Sequence, residues 1–585
     1  MKRQLTVAIY ISLVAFVVSC STFDYSVFNL NDKRKTKEYT DAHRTIVITE
    51  VPDMSDGITI GQKMPNPYSY EVMLEAWSEM HAITKEEPDT TEHIPEASHI
   101  YIRVLPESSE DVDWILESNY EFYNYPLDYE IIGDPDEYHD PTLPDSVFTW
   151  FYTVMPIDAT LPTMEYEIIE VCYIPEDTET GNGNNGCFSQ LEQVAFKISG
   201  YNRGDGGIDW EDPDDPGEDP GPGGPGGPGG NGTGTNNFIQ GYIRYYDDTQ
   251  CDLVGVKGLR VSIRNSMKIR TVYTDENGYY STPNVFGTNA LSRKVSFQNS
   301  YGFSCMHGFL LGPLLTPKTI TVQDNWNINT SGEHKYWVLA NINNAAYDWF
   351  SYCDTTGIQM PANDIRISAL SMNIGNSGST VMLKHGMSYF VVPSDVISLM
   401  AGIPLPSTIP NFLPLRLMIQ LILPDIFIIE DDSTVSSKNI NKTVTHELAH
   451  ASHFQQLGSN YFARCWWWKD VFDYEVAQII LSDGNNPYGS EADNGSGPCG
   501  VTEMWAYAMG YFGCSDYYGY SSYPDTKDHW FKDSVLYSFF INNQITPKNA
   551  FDLLMPEVRN IHTFASELKQ EYPELSNTID LNYGN

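Results

Sequence analysis

Basic residues are scarce in this chain of 585 residues: 34 Lys and Arg stand against 77 Asp and Glu, a formal net charge of −43. Phosphate backbones are held by basic surfaces, so nucleic acid is excluded as an expected partner. Paired CxxC motifs are missing, which excludes a structural zinc site of that spacing. Beyond the first twenty residues no apolar run is long and unbroken. The strongest, Val396 to Ile429, is cut by Pro404, Pro406, Pro410, Pro414 and Pro424 and contains Arg416. Lipid demands a continuous helix, so this stretch is not expected to span a membrane. Apolar residues are not lacking. At 41% they suffice for real cores and exclude disorder throughout, and the length predicts three or four domains.

The acidity is uneven. Residues 21–203 hold 36 acids and 10 bases, residues 204–237 hold 8 acids and no base, and the remainder holds 33 acids and 22 bases. The excess therefore sits in the front of the chain, where it reads as solubility. Gly204 to Asn237 is dominated by Gly, Pro and Asp and offers almost nothing to bury, so it reads as a linker.

The chain opens with Lys2 and Arg3, an apolar stretch from Leu5 to Val18, and then Val17-Val18-Ser19-Cys20. This order matches an export signal that is too short to be a comfortable membrane span. Its end resembles the lipobox of bacterial lipoproteins. The resemblance implies that Cys20 is lipidated and that residues 1–20 are a signal peptide. It also implies an exported chain tethered to outer-membrane lipid, since Ser21 is not the Asp of inner-membrane retention. Either the periplasmic or the cell-surface face is open. The other eight cysteines would then meet an oxidising compartment. Proximity in sequence suggests Cys172–Cys187, Cys251–Cys305 and Cys499–Cys514 among 105 possible pairings.

Three folded blocks are expected, a multidomain arrangement. Residues 21–203 read as an acidic α+β domain of unassigned role. Tyr68 to Met80 has helical spacing, His99 to Leu105 alternates as a strand, and Ser109 to Leu116 resembles a capped helix start. Residues 238–340 read as an all-β sandwich, with strands at Gly241–Tyr246 and Gly258–Ile263 and a tight turn at Thr274–Gly278. This pattern resembles the carboxypeptidase regulatory-like, transthyretin-like domain, which implies no catalytic residues there. Residues 341–585 form the third block. Helix is expected at Ala345–Cys353, and strands at Asp364–Leu370, Met387–Val392 and Ile426–Ile429.

The chemistry is concentrated in Thr445-His446-Glu447-Leu448-Ala449-His450. On a helix, His446 and His450 sit one turn apart on one face, so two neutral imidazoles can meet one cation. Glu447 can reach a metal-bound water as general base. Nitrogen ligands and an open fourth position favour zinc. Asn441 or Thr443 can cap this helix, and Gly458 can end it. The third histidine of an HExxHxxGxxH pattern is missing: Gln456 occupies its place and His453 replaces the glycine.

Glu503 lies in the apolar segment Gly500–Gly510, where a carboxylate is costly unless paired or metal-bound. HELAH and this segment together resemble the gluzincin group of zinc metallopeptidases. That resemblance implies a zincin-like α+β catalytic domain with His446, His450 and Glu503 as zinc ligands and Glu447 as base. Glu475 competes with Glu503 for the third place. The resemblance further implies an oxyanion-stabilising Tyr or His, with Tyr507, Tyr511 and His529 as candidates. Ile426–Ile429 is either the edge strand that pairs with an extended substrate or a plain buried strand.

The expected function is a zinc-dependent metallopeptidase, acting on protein or peptide and tethered to the outer membrane. Two other readings stay open. One is a non-catalytic surface binding or adhesion lipoprotein with a structural zinc. The other is a zinc hydrolase acting on a non-peptide substrate.

Overall fold

The computed structural model describes residues 35–40, 45–84, 94–107, 111, 114–116, 118–133, 135, 138–143, 149–176, 190–201, 238–283, 285–286, 291–307, 318–320, 325–371, 377–380, 382, 384–385, 424–430, 435–458, 461–482, 486–519 and 529–584. Cys20, Cys187, the expected linker and Met387–Val392 lie outside the described residues. The chain has several helices and several sheets. Among the described residues no helix is long and apolar enough to cross a membrane.

The front block carries β1 (Thr36–Thr40), β2 (Thr45–Thr49), β3 (Ile60–Lys63), α1 (Tyr70–Thr84), β4 (His99–Leu105), β5 (Tyr129–Ile131), β6 (Phe151–Pro156), β7 (Glu165–Cys172) and α2 (Gln190–Ser199). Five strands form one sheet in the order β1-β2-β7-β4-β6, and β3 pairs with β5. β4 is buried on both faces, because it lies between β6 and β7 with apolar clusters on either side. Its apparent alternation conceals Tyr101 and Arg103, both buried, with Arg103 paired to Glu167 at 2.7 Å.

After residue 237 come β8 (Phe238–Asp247), β9 (Asp252–Gly255), β10 (Leu259–Asn265), β11 (Lys268–Tyr273), β12 (Tyr279–Pro283), β13 (Ser292–Asn299), β14 (Ser304–His307), β15 (Lys318–Ile320) and β16 (Asn325–Ile328). Then follow α3 (Thr330–Thr356), β17 (Arg366–Ser371), β18 (Ser377–Thr380), β19 (Ile426–Glu430), α4 (Ser437–Gln456), α5 (Tyr461–Ser482) and α6 (Ser496–Tyr518). Four shorter helices close the chain: α7 (Asp533–Ile541), α8 (Pro547–Asp552), α9 (Ile561–Glu571) and α10 (Ser576–Tyr583). β12, β8 and β16 form a four-stranded sheet with β9.

The second sheet of this region does not end with the expected sandwich. It has eight strands, ordered β11-β10-β13-β14-β17-β19-β18 with β15 against β13. β14 pairs in parallel with β17, which lies beyond residue 340. The boundary expected at 340/341 falls inside α3, and one apolar core runs from Ile239 to Tyr583. Residue 340 lies within a helix that packs against strands of both sheets.

Ile426–Ile429 is the buried strand of its two expectations. β19 pairs in parallel with β17 and antiparallel with β18, so among the described residues the edge belongs to Ser377–Thr380. Two of the suggested disulfides are not formed: Cys251, Cys305, Cys499 and Cys514 are free thiols, and the partner expected for Cys172 lies outside the described residues. Cys499 and Cys514 share α6, and fifteen residues of helix hold them roughly 22 Å apart.

Candidate metal centre

α4 begins earlier than its sequence suggests. Ser436 is the N-cap, its hydroxyl accepting from the Asn439 amide, and Asn441 and Thr443 lie inside the helix. The helix ends at Gln456, and Gly458 follows with a positive φ of 108°. α6 packs against α4 very closely because Gly510 and Gly513 face it. A Cβ at Gly510 would come 3.1 Å from His446 Cβ and from the Lys442 carbonyl oxygen. Glu503 and Tyr507 precede Gly510 by seven and three residues and so share its face of the helix. The approach set by glycine therefore brings Glu503 to the histidines.

The Nε2 atoms of His446 and His450 are 3.1 Å apart. Glu503 Oε1 lies 3.1 Å from His450 Nε2, and its Oε2 lies 3.6 Å from His446 Nε2. Glu447 Oε1 is 3.9 Å from His446 Nε2, and ligand atoms of His446, Glu447 and His450 all lie within 4.8 Å of one another. The Ala506 carbonyl accepts from the His446 ring, which leaves Nε2 turned toward the group. All four side chains are largely buried.

Burial lowers the pKa of His446, and His450 beside it lowers it further. Burial lowers that of His450 to about 3. Both rings are therefore neutral near pH 7, the state that ligates metals. Burial also raises Glu447 and Glu503 above the usual carboxylate range. Glu503 Oε2 meets no hydrogen-bond partner among the described residues, although it is shielded from solvent. Buried acceptors are normally satisfied. Two inward-facing imidazole nitrogens and an orphaned carboxylate oxygen fit a divalent cation.

Glu475, the rival third ligand, approaches the Glu503 carboxyl group from α5 and receives the Cys499 thiol at 3.6 Å. Glu503 is the carboxylate at the histidine nitrogens. The Tyr507 ring lies edge-on to His446 with centroids 4.6 Å apart, and its hydroxyl is 3.0 Å from that of Tyr488. His529 packs on Tyr507 at 4.7 Å, and its Nδ1 is 3.1 Å from Asp533 Oδ1. Tyr511 turns away, with its ring 6.4 Å from Tyr537 and the Lys442 ammonium over it. His453 is fully buried against Trp467, and neither ring nitrogen has a partner among the described residues.

Four residues of this neighbourhood carry no signal in the sequence. Tyr488 and Asp533 lie outside any motif. Gly378 and Thr380 belong to β18, a strand of small polar residues without apolar alternation. Thr380 Oγ1 lies 2.8 Å from Glu447 Oε2 and 2.8 Å from the Glu447 carbonyl oxygen. A Cβ at Gly378 would come within 2.7 Å of the Glu447 carboxyl carbon. No protein-family model matches this chain, and no curated protein matches its sequence.

Proposed function

We propose that this chain is a zinc-dependent metallopeptidase, a gluzincin-like enzyme exported as a lipoprotein and held to outer-membrane lipid through Cys20. The finer architecture belongs to the same reading: an α+β front domain, then a carboxypeptidase regulatory-like sandwich and a zincin-like catalytic part that share one sheet and one core. The observation that carries it is the gathering of His446 Nε2, His450 Nε2 and the Glu503 carboxylate within 3.1–3.6 Å of one another.

His446, His450 and Glu503 would hold the zinc, which supplies Lewis acidity and lowers the pKa of a bound water. The residues of the chain divide the remaining work. Glu447 takes the proton of the attacking water and returns it to the leaving amine. Burial raises the pKa of its carboxyl group, and the hydrogen bond from Thr380 opposes that rise. Tyr507, whose hydroxyl meets that of Tyr488, and His529, which meets Asp533, would donate to the developing oxyanion. Among the described residues β18 pairs on one side only, so an extended peptide would add to the sheet there.

The test is zinc content together with peptide cleavage by wild type and Glu447→Ala. The reading expects bound zinc in both and a loss of about 10²-fold or more in the variant. Absence of zinc, or full activity in Glu447→Ala, refutes it. One observation favours a second reading, a binding lipoprotein with a structural metal: a Glu447 oxygen lies within 4.8 Å of both histidines. As a fourth protein ligand, Glu447 would close the site, and its replacement would then release the metal.

A further inference from the structure

Strand β18 does more than offer an edge. Thr380 is buried, and its hydroxyl faces Glu447 twice, at 2.8 Å from the side-chain Oε2 and 2.8 Å from the backbone oxygen. One hydroxyl proton thus serves two acceptors of the same residue. The Thr380 carbonyl in turn accepts from the Trp468 indole at 3.2 Å, which anchors this end of the strand to α5. Two residues earlier, Gly378 lies so close to the Glu447 side chain that no Cβ fits. The carboxyl group is bounded by Gly378 on one side and held by Thr380 on the other.

The terminal torsion of a glutamate is broad and costs little to turn. A base that turns freely presents its oxygen in the right place only part of the time. Here Oε2 is engaged by Thr380, and Oε1 is the oxygen left toward His446, 3.9 Å from its Nε2.

We propose that Thr380 is a positioning residue for Glu447: its hydroxyl locks the carboxyl group from the substrate-pairing strand, so that Oε1 faces the metal and substrate side. The role rests on the peptidase reading, in which Glu447 is the base. It links two parts of the reaction that the sequence keeps apart, because the strand expected to pair with peptide also holds the catalytic group.

Two measurements test it separately from that reading. The first needs no activity. In the metal-free full chain, Thr380→Val removes the hydroxyl that donates to Glu447 Oε2 and keeps only the backbone contact of residue 380 with this carboxyl group, so it lowers the melting midpoint. The same substitution in a Glu447→Ala background lowers it less, because the carboxyl partner is already gone. Equal losses in both backgrounds overturn the lock. The second is kinetic. Thr380→Val is expected to lower kcat by about 10- to 100-fold with KM and zinc content near wild type, a magnitude within the range of misplaced general bases. Thr380→Ser keeps the hydroxyl and is expected to restore most of kcat. If Thr380→Ser is as impaired as Thr380→Val, packing by the methyl group is responsible and the proposal falls. If wild type cleaves peptides and Thr380→Val matches it, the proposal also falls. If wild type cleaves nothing while the thermal coupling is present, the peptidase reading fails and the lock on Glu447 stands.

Discussion

Two carboxyl groups, buried Glu503 and half-buried Glu475, lie side by side next to the histidines, and their roles separate by distance. Glu503 reaches both Nε2 atoms, whereas Glu475 meets Glu503 and the Cys499 thiol. A ligand and its supporting neighbour differ in what their loss costs. Glu475→Gln is expected to weaken zinc binding by about 10- to 100-fold, the usual cost of an outer partner. Glu503→Ala should weaken it by more than about 100-fold, since a ligand itself is removed. Chelator competition measures both, and the reverse order would exchange the two assignments. A second prediction concerns His385, whose Nδ1 is 2.9 Å from Asp425 and whose Nε2 is 2.9 Å from Asp364. Burial by itself would lower its pKa, but the two carboxylates outweigh this and raise it to about 9. Lys384 pairs with the same Asp364 at 2.6 Å. A histidine raised in the folded state stabilises fully below its unfolded pKa near 6.5, and that contribution fades as pH rises through 9. The wild-type melting midpoint should therefore fall between about pH 6.5 and pH 9 relative to that of His385→Gln. Parallel curves for the two proteins would show that the pair contributes nothing.

Among the elements, α4 and α6 set the site by how closely they approach. Gly510 contacts both the His446 Cβ position and the Lys442 carbonyl, so a large side chain there must separate the helices. Gly510→Leu is expected to cost about 1–3 kcal/mol of stability by overpacking. It should also weaken zinc binding, because Glu503 lies two turns away on the same face. A lower melting midpoint with unchanged zinc affinity would show that α6 bends rather than shifts. The same pair of helices shows what the sequence could and could not disclose. HELAH was legible because a one-turn spacing of histidines has a single geometric meaning on a helix. Glu503 was legible because an acid in an apolar segment needs a reason to be buried. Thr380 and Gly378 were not, since a four-residue strand of Ser, Gly, Ser and Thr has no hydrophobic period to betray it. The start of α4 was misplaced because Ser436, Asn441 and Thr443 can all cap, and only the fold selects Ser436.

At the scale of the whole molecule, composition suggested a front block joined to the rest only by residues 204–237, yet the two parts meet across buried charge. Glu121 of the front block forms ion pairs with Lys294 at 2.9 Å and Arg260 at 3.0 Å and accepts from the Ser262 hydroxyl at 2.7 Å, partners that lie on β10 and β13. Glu192 of α2 pairs with Lys268 of β11 at 3.0 Å, with both side chains fully buried. Arg264 donates to the Leu127 carbonyl at 3.0 Å, and Met267 sits in the front block's own apolar core. None of these basic residues looks unusual in sequence, since charged residues on strands normally face water. Here they face the segment that carries Glu121 and Leu127 and the helix α2. Buried pairs of this kind need not add stability over apolar packing, but losing one partner strands the other in a medium that cannot solvate it. Glu192→Ala should therefore cost about 3–5 kcal/mol, whereas Glu192→Ala combined with Lys268→Met should recover much of that loss. Salt screens such pairs weakly because water and ions do not reach them. It follows that wild-type chain cut within residues 204–237 should run as one species on gel filtration at both low and high salt. The cut Glu192→Ala protein should run as two. If cut wild type separates at once, the linker was the only thing holding the halves together, and the buried charges do not dock them.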